Sequence, residues 1–93
     1  MTIFNQITIR IIKEQEVIIG PIAWQEAKKV KGLLVVDQKK NIISIEGDAK
    51  NVLNKLVAQY TRLFGRISTD VCKEAVQDLL VELPKDQIPS SLR

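Results

Sequence analysis

The chain has 93 residues, of which 45% are hydrophobic and 27% charged, and its formal net charge is +3. This length supports one domain with a modest core and leaves no room for a deep catalytic cleft beside it. A single cysteine excludes an internal disulfide framework, and no apolar run reaches the roughly 20 residues of a membrane-spanning helix. With no signal-peptide pattern at the N-terminus, we expect a soluble domain in the cytoplasm.

Charge is distributed unevenly along the chain. Residues 1–66 carry eleven Lys and Arg against six Asp and Glu, a net of +5. Residues 67–93 carry three against five, a net of −2. Either these charges solvate exposed faces, or the acidic end lies beside the basic part, or the basic part meets an acidic partner.

The N-terminal residues predict a β-strand. Ile7, Ile9 and Ile11 fall on odd positions with polar residues between them, the period-two pattern of a half-buried strand. A polar cluster at 13–16 interrupts the pattern. Val17–Ile19 then resumes an apolar run, which is either a returning hairpin strand or the lead-in to a helix.

Gly20-Pro21 predicts the start of a helix, because proline at the first helical position needs no amide hydrogen. Gly32 ends this helix. Leu33–Val36 is a continuous apolar run that predicts a buried central strand. A five-residue turn leads to a partner strand at Ile42–Glu46. The two strands and their short turn predict an antiparallel hairpin.

A long amphipathic helix follows the hairpin. Asp48 is placed to cap its first turn, and Gly65 is placed to end it. Its predicted core-facing residues recur at helical spacing and comprise Val52, Leu53, Leu56, Val57, Tyr60, Leu63 and Phe64.

A last helix is predicted between Gly65 and Pro84. Ser68, Thr69 and Asp70 are its candidate N-caps. The apolar residues at helical spacing are Val71, Cys72, Ala75, Val76, Leu79, Leu80 and Leu83.

The predicted element order is β-(β)-α-β-β-α-α. We interpret it as an α+β domain over residues 1–83, with a small, mainly antiparallel sheet and helices packed on one face. Residues 84–93 are polar and contain a second proline, so we expect a flexible C-terminal tail.

The residue inventory disfavours an enzyme. The chain has no histidine, the commonest general base at neutral pH and the commonest metal ligand. Cys72 lies on the apolar face of its helix, where a buried, inert thiol is expected. We therefore predict no catalytic residues, no metal and no cofactor.

One part of the chain resembles a known family. In the run EVIIGPIAWQEAKKVKGLLVVDQKKNIISIEGDAKNVLNKLV, Ile18-Ile19-Gly20 is an apolar pair before a glycine turn. Ser44–Gly47 is a strand that ends in glycine before a long helix containing Val52 and Leu56. Over residues 7–64 this arrangement resembles the core of a K-homology (KH) domain. The resemblance implies binding of single-stranded nucleic acid through the Gly20 loop and the lysines around it.

The chain departs from the KH pattern at the loop itself. Gly20-Pro21-Ile22-Ala23 lacks the second glycine that lets the backbone approach nucleotide phosphates. The basic residues usual in that loop are replaced by Pro and Ile. We interpret the loop as degenerate, and degenerate domains of this kind often serve as protein-interaction modules.

Our leading hypothesis is therefore a non-catalytic interaction or regulatory module that binds a protein partner. That partner can be a second copy of the same chain. The alternative is KH-like nucleic-acid binding. Trp24 lies off the apolar stripe of its helix, where it either anchors an interface or closes the edge of the core. The other candidate partner-binding residues are Gly20, Pro21, Lys28, Lys29, Lys31, Lys39, Lys40, Lys55, Arg62 and Arg66.

Overall fold

A computed structural model describes residues 2–93 of the chain. Within this range the chain forms four α-helices, one β-hairpin and two short 3-10 turns. The α+β class and the small antiparallel sheet with helices on one face are thus confirmed. The elements are α1 (Ile3–Ile19), α2 (Ile22–Lys28), β1 (Leu33–Asp37), β2 (Ile42–Ile45), α3 (Ala49–Phe64) and α4 (Arg66–Leu80).

The predicted N-terminal strand is wrong, because the chain from Ile3 to Ile19 forms α1. Val17–Ile19 is accordingly its last turn and not a separate strand. The isoleucines fit a period of two, but Ile7, Ile11 and Gln15 also lie four residues apart, and all three are buried on one helical face. The Thr2 hydroxyl caps the helix by accepting a hydrogen bond from the Asn5 amide at 3.2 Å.

Helix α2 begins after Gly20-Pro21, as predicted, and leads through a turn into the hairpin. Gly32 has a φ of +92°, and its carbonyl accepts a hydrogen bond from the Glu46 amide at 2.7 Å. A Cβ added there would lie 2.8 Å from Val52 and 2.9 Å from the Glu46 carbonyl oxygen. Only glycine fits between α3 and the end of β2 at this position.

The predicted hairpin is confirmed, with Leu33 opposite Ile45 and Val35 opposite Ile43. The prediction that its first strand is buried and central is wrong, since β1 and β2 are the whole sheet within the described residues. The inner face packs on the helices, and Leu33 and Ile43 are buried there. The outer face exposes Leu34, Val36 and Ile42.

Helix α3 confirms the cap predictions at both ends. The Asp48 carboxylate accepts from the Lys50 amide at 3.0 Å, and Gly65 has a φ of +85°. The first five residues of the predicted stripe are buried, namely Val52, Leu53, Leu56, Val57 and Tyr60, but Leu63 and Phe64 are exposed. The stripe leaves the core at the last turn of α3, where the chain turns at Gly65 into α4.

Helix α4 begins at Arg66, ahead of the predicted caps Ser68, Thr69 and Asp70, because Gly65 already supplies the break between the two helices. The four helices then pack in a ring, with α1 on α2, α2 on α3, α3 on α4 and α4 on α1. The core fills the ring and the inner face of the hairpin. The α2–α3 surface and the α1–α4 surface therefore lie on opposite sides of the molecule.

The end of the chain differs from the flexible tail that we expected over residues 84–93. The segment forms 3-10 turns at Lys85–Gln87 and Ser90–Leu92, and the second one packs on α3 and α4. Leu92 is 2% exposed in the core. Asn54 accepts hydrogen bonds from the Ser91 amide at 3.0 Å and the Ser91 hydroxyl at 2.6 Å. The polar composition of this segment does not indicate that one of its residues, Leu92, is buried.

Candidate interaction surfaces

The only cysteine is buried in the core. Gln15 donates a hydrogen bond from its side-chain amide to the Cys72 sulfur at 3.3 Å and to the Ser68 carbonyl at 3.1 Å. Burial raises the pKa of the Cys72 thiol to about 11, so the thiol is protonated at neutral pH. Residues 2–93 contain no group of three or more His, Cys, Asp or Glu placed to hold a metal ion.

Trp24 does not lie on the surface. It is 2% exposed and belongs to the core, so of the two interpretations of this residue the structure supports the one that closes the core. Its neighbour Ala23 accepts a hydrogen bond at 2.7 Å from the buried hydroxyl of Tyr60, which ties α2 to α3. Burial is the main cause that raises the pKa of Tyr60 above its ordinary value of 10.0.

Four of the predicted cations do come together. They line a groove of about 290 Å³ between the end of α2 and the exposed face of α3. Two of them come from the α2 end and two from α3, where they lie seven residues and two helical turns apart. We call this the basic groove, and its cations are Lys29, Lys31, Lys55 and Arg62.

A buried carboxylate organises the basic groove. Glu26 is 5% exposed and accepts hydrogen bonds from the Lys29 ammonium at 2.9 Å and from the Gln59 amide at 2.7 Å. The Gln59 oxygen in turn accepts from the Arg62 guanidinium at 3.1 Å. The hydrogen bonds from Lys29 and Gln59 lower the pKa of Glu26. One cation on each side of the groove is thus held by a shared network. The lining of the basic groove itself carries four cations above one carboxylate and is positive, and Lys31 and Lys55 also line an adjoining groove with Glu46 and Asp48.

The remaining predicted cations lie elsewhere. Lys40 lines a separate groove with Arg10 and Lys13 of α1. Arg66 is the first residue of α4, which Gly65 separates from the helix that carries Lys55 and Arg62. The structure does not bring Lys28 or Lys39 into the basic groove, although both side chains are exposed.

Six of the ten exposed large apolar side chains among the described residues lie at one end of the molecule. Gln15 of α1 lies against Ser68 of α4, and Tyr60 of α3 lies against Ala23 of α2. These two contacts place the end of α1, the start of α2 and the α3–α4 junction at the same end, together with the Gly20-Pro21 turn. We call this the apolar end, and its large exposed residues are Val17, Ile18, Ile22, Leu63, Phe64 and Ile67.

The apolar end was not predicted from the sequence, because the helical and strand patterns place several of these residues in the core or in a strand. A signal was present for Val17. Once residues 3–19 are assigned to a helix, Val17 falls off the buried face that Ile7, Ile11 and Gln15 define. Ile18 lies on that face, three residues after Gln15, so helical spacing does not indicate its exposure. Ile67 carries no such signal, since its exposure depends on where Gly65 turns the chain.

No helix among the described residues is both long enough and apolar enough to cross a membrane. Comparisons of the chain with protein-family models, with curated proteins and with solved structures found no match.

Proposed function

We propose that this protein is a small non-catalytic interaction module that binds a protein partner through the apolar end, and that a second copy of the chain is one such partner. The observation that carries the proposal is the concentration of exposed aliphatic and aromatic side chains where α1, α2 and the α3–α4 junction meet. Single exposed apolar residues are ordinary on a protein surface. Six at one end are typical of a surface that another protein covers.

Two features of the apolar end support this proposal. Ile67 is 72% exposed and Val17 is 81% exposed, so a partner could bury most of each side chain. The surface is also carried by helix ends that are fixed from within, by Gln15 on Ser68 and by Tyr60 on Ala23. A preorganised surface loses little conformational entropy on binding.

The proposal is tested by measuring molecular mass in solution against protein concentration. In about 0.3 M NaCl, where contacts between exposed charges are largely screened, we expect the mass to rise with concentration. Replacing Ile67 with Asp should shift this rise to at least about tenfold higher concentration, because one buried aliphatic side chain contributes that much. The matched control is Val81→Asp, since Val81 is 83% exposed but lies at the opposite end of α4.

Nucleic-acid binding is the second candidate function, and the basic groove favours it. We infer that single-stranded RNA would contact the cations of the groove and not the Gly20 loop, because Gly20-Pro21 lies at the apolar end. The test is fluorescence anisotropy of a labelled RNA oligonucleotide at two salt concentrations. Lys55→Glu should weaken a salt-dependent interaction, whereas Lys39→Glu, an equal charge change at the hairpin turn, should not.

A further inference from the structure

We propose that copies of this chain also associate head to tail, with an acidic face on α4 of one copy seated in the basic groove of the next. The charged residues of this contact are not those of the apolar end, although Ile18 of the apolar end lines the groove beside the acidic face, and the contact does not depend on the function proposed above. The acidic face is defined by four exposed carboxylates at every fourth position of α4 and just beyond it, namely Asp70, Glu74, Asp78 and Glu82.

The acidic face adjoins a shallow groove between α1 and α4. Glu14 and Glu74 line this groove together with Asp78. Arg10 of α1 pairs with Asp78 at 3.0 Å and is the one cation among the lining residues. Within residues 2–93, Asp70, Glu74 and Glu82 have no ion-pair partner. The surface is therefore negative and three of its carboxylates are free to meet cations of another molecule.

The two charged surfaces lie on opposite sides of the ring of helices. The basic groove is on the α2–α3 side and the acidic face is on the α1–α4 side. A single molecule cannot bring them together, so a contact between these two surfaces requires a second molecule. A second copy supplies it at the same concentration as the protein itself.

The spacing of the charges on the two surfaces is compatible. Lys55 and Arg62 lie seven residues apart on α3, which corresponds to about 10.5 Å along the helix axis. Carboxylates at every fourth position of α4 repeat at about 6 Å, so that alternate ones lie about 12 Å apart. Two cations of the groove can therefore each face a carboxylate of one neighbouring helix.

A contact between two different surfaces leaves one unused surface on each copy. One copy keeps a free basic groove and the other a free acidic face, so association continues into open chains unless the rotation between copies closes a ring. Exposed ion pairs are individually weak and are screened by salt. We expect association at low ionic strength that weakens at least about tenfold between roughly 0.02 M and 0.3 M NaCl.

Two charge-reversal variants test the contact. Lys55→Glu spoils the basic groove and leaves the acidic face intact, and Glu74→Lys does the reverse. Neither side chain has a hydrogen bond or ion pair within residues 2–93, so both variants should fold. Because each variant lacks one of the two surfaces, sedimentation velocity at low salt should show each alone at lower mass than the wild type. An equimolar mixture should form a heterodimer that cannot extend through this contact, since the only intact pair of charged surfaces is then consumed.

The matched controls are Lys39→Glu and Asp86→Lys, which change the net charge equally at exposed positions away from both surfaces. The controls should associate as the wild type does.

The proposal is overturned if the wild type stays monomeric at low salt up to about 1 mM, or if the mixture of the two variants behaves as the sum of its components. Tight RNA binding by a wild type that stays monomeric would assign the groove to nucleic acid instead. If Ile67→Asp loses the association seen in about 0.3 M NaCl but still forms the salt-dependent chains, the charged contact is supported independently of the apolar end.

Discussion

The carboxylate of Glu26 accepts a hydrogen bond from the side-chain amide of Gln59 at 2.7 Å, which joins α2 to α3 beneath the basic groove. The same carboxylate accepts from the Lys29 ammonium at 2.9 Å. Lys29 is thus held from below by one buried negative charge, and Arg62 is held indirectly through Gln59. Such preorganisation reduces the entropy that the side chains lose when an anionic surface docks.

The ionised state of Glu26 contributes to folding, and this contribution should depend on pH. The hydrogen bonds from Lys29 and Gln59 hold the pKa of Glu26 below its ordinary value of 4.5. A carboxyl group with a lowered pKa in the folded state contributes stability above its unfolded pKa, and that stability is lost as the pH falls through the folded pKa. As the pH falls from about 6 to about 3, the free energy of unfolding should decrease less in Glu26→Gln than in the wild type. Urea unfolding, followed by the fluorescence of buried Trp24, measures both losses, and equal losses would contradict the prediction.

The ionisable groups of Tyr60 and Cys72 should make the free energy of unfolding fall at alkaline pH. Burial raises the pKa of both groups in the folded state, that of Cys72 to about 11. The unfolded chain therefore releases these protons at lower pH than the folded chain, and the unfolding free energy should fall as the pH rises above about 9. Tyr60→Phe should make this fall smaller while costing about 1 kcal/mol at neutral pH through the lost bond to Ala23. Urea unfolding at pH 7 and pH 10 checks both effects, and a variant with an unchanged alkaline fall would refute the assignment to Tyr60.

Gly32 and Gly20 should respond differently to alanine. Both have positive φ, so backbone strain of about 1–2 kcal/mol is expected for either substitution. A Cβ at Gly20 meets nothing within 4 Å, whereas one at Gly32 meets both Val52 and the Glu46 carbonyl. Gly32→Ala should therefore destabilise the fold by about 3 kcal/mol or more. Thermal unfolding of the two variants measures the difference, and equal losses would show that the turn relaxes around the added methyl group.

The C-terminal anchor should contribute to global stability. Leu92 is 2% exposed, and the adjoining Ser91 is bonded to Asn54. Leu92→Ala should cost about 2–3 kcal/mol, because it opens a cavity between the last 3-10 turn and helices α3 and α4. Val81→Ala, at an exposed aliphatic position, is the control and should be nearly neutral. A neutral Leu92→Ala variant would mean that the segment is mobile after all, as its composition suggested.

The parts of the fold that could be predicted from the sequence are those in which local signals agree. In α3, the cap residue Asp48, the apolar stripe and the terminal Gly65 all indicate the same element. The hairpin is similar, since two apolar runs flank a short polar turn. In α1, by contrast, the spacing of Ile7 and Ile11 satisfies strand and helix periods together, and the choice depends on packing against α4.

The candidate surfaces were predictable only in part. Lys55 and Arg62 could be placed on the same side of α3, because they lie two turns apart on a helix that the sequence predicts. Their meeting with Lys29 and Lys31 depends on how α2 packs on α3, and this packing is carried by the Tyr60–Ala23 and Gln59–Glu26 contacts. Neither contact has a local sequence signal. The burial of Trp24 was undecidable for the same reason.

The most direct test of the interaction-module account is sedimentation equilibrium of the wild type and of Ile67→Asp in about 0.3 M NaCl, over concentrations from about 10 µM to about 1 mM. The account predicts that the average mass of the wild type rises above that of the 93-residue monomer and that Ile67→Asp suppresses the rise, while Val81→Asp retains it. A wild type that remains monomeric throughout, or an Ile67→Asp variant that associates as well as the wild type, would contradict self-association through the apolar end.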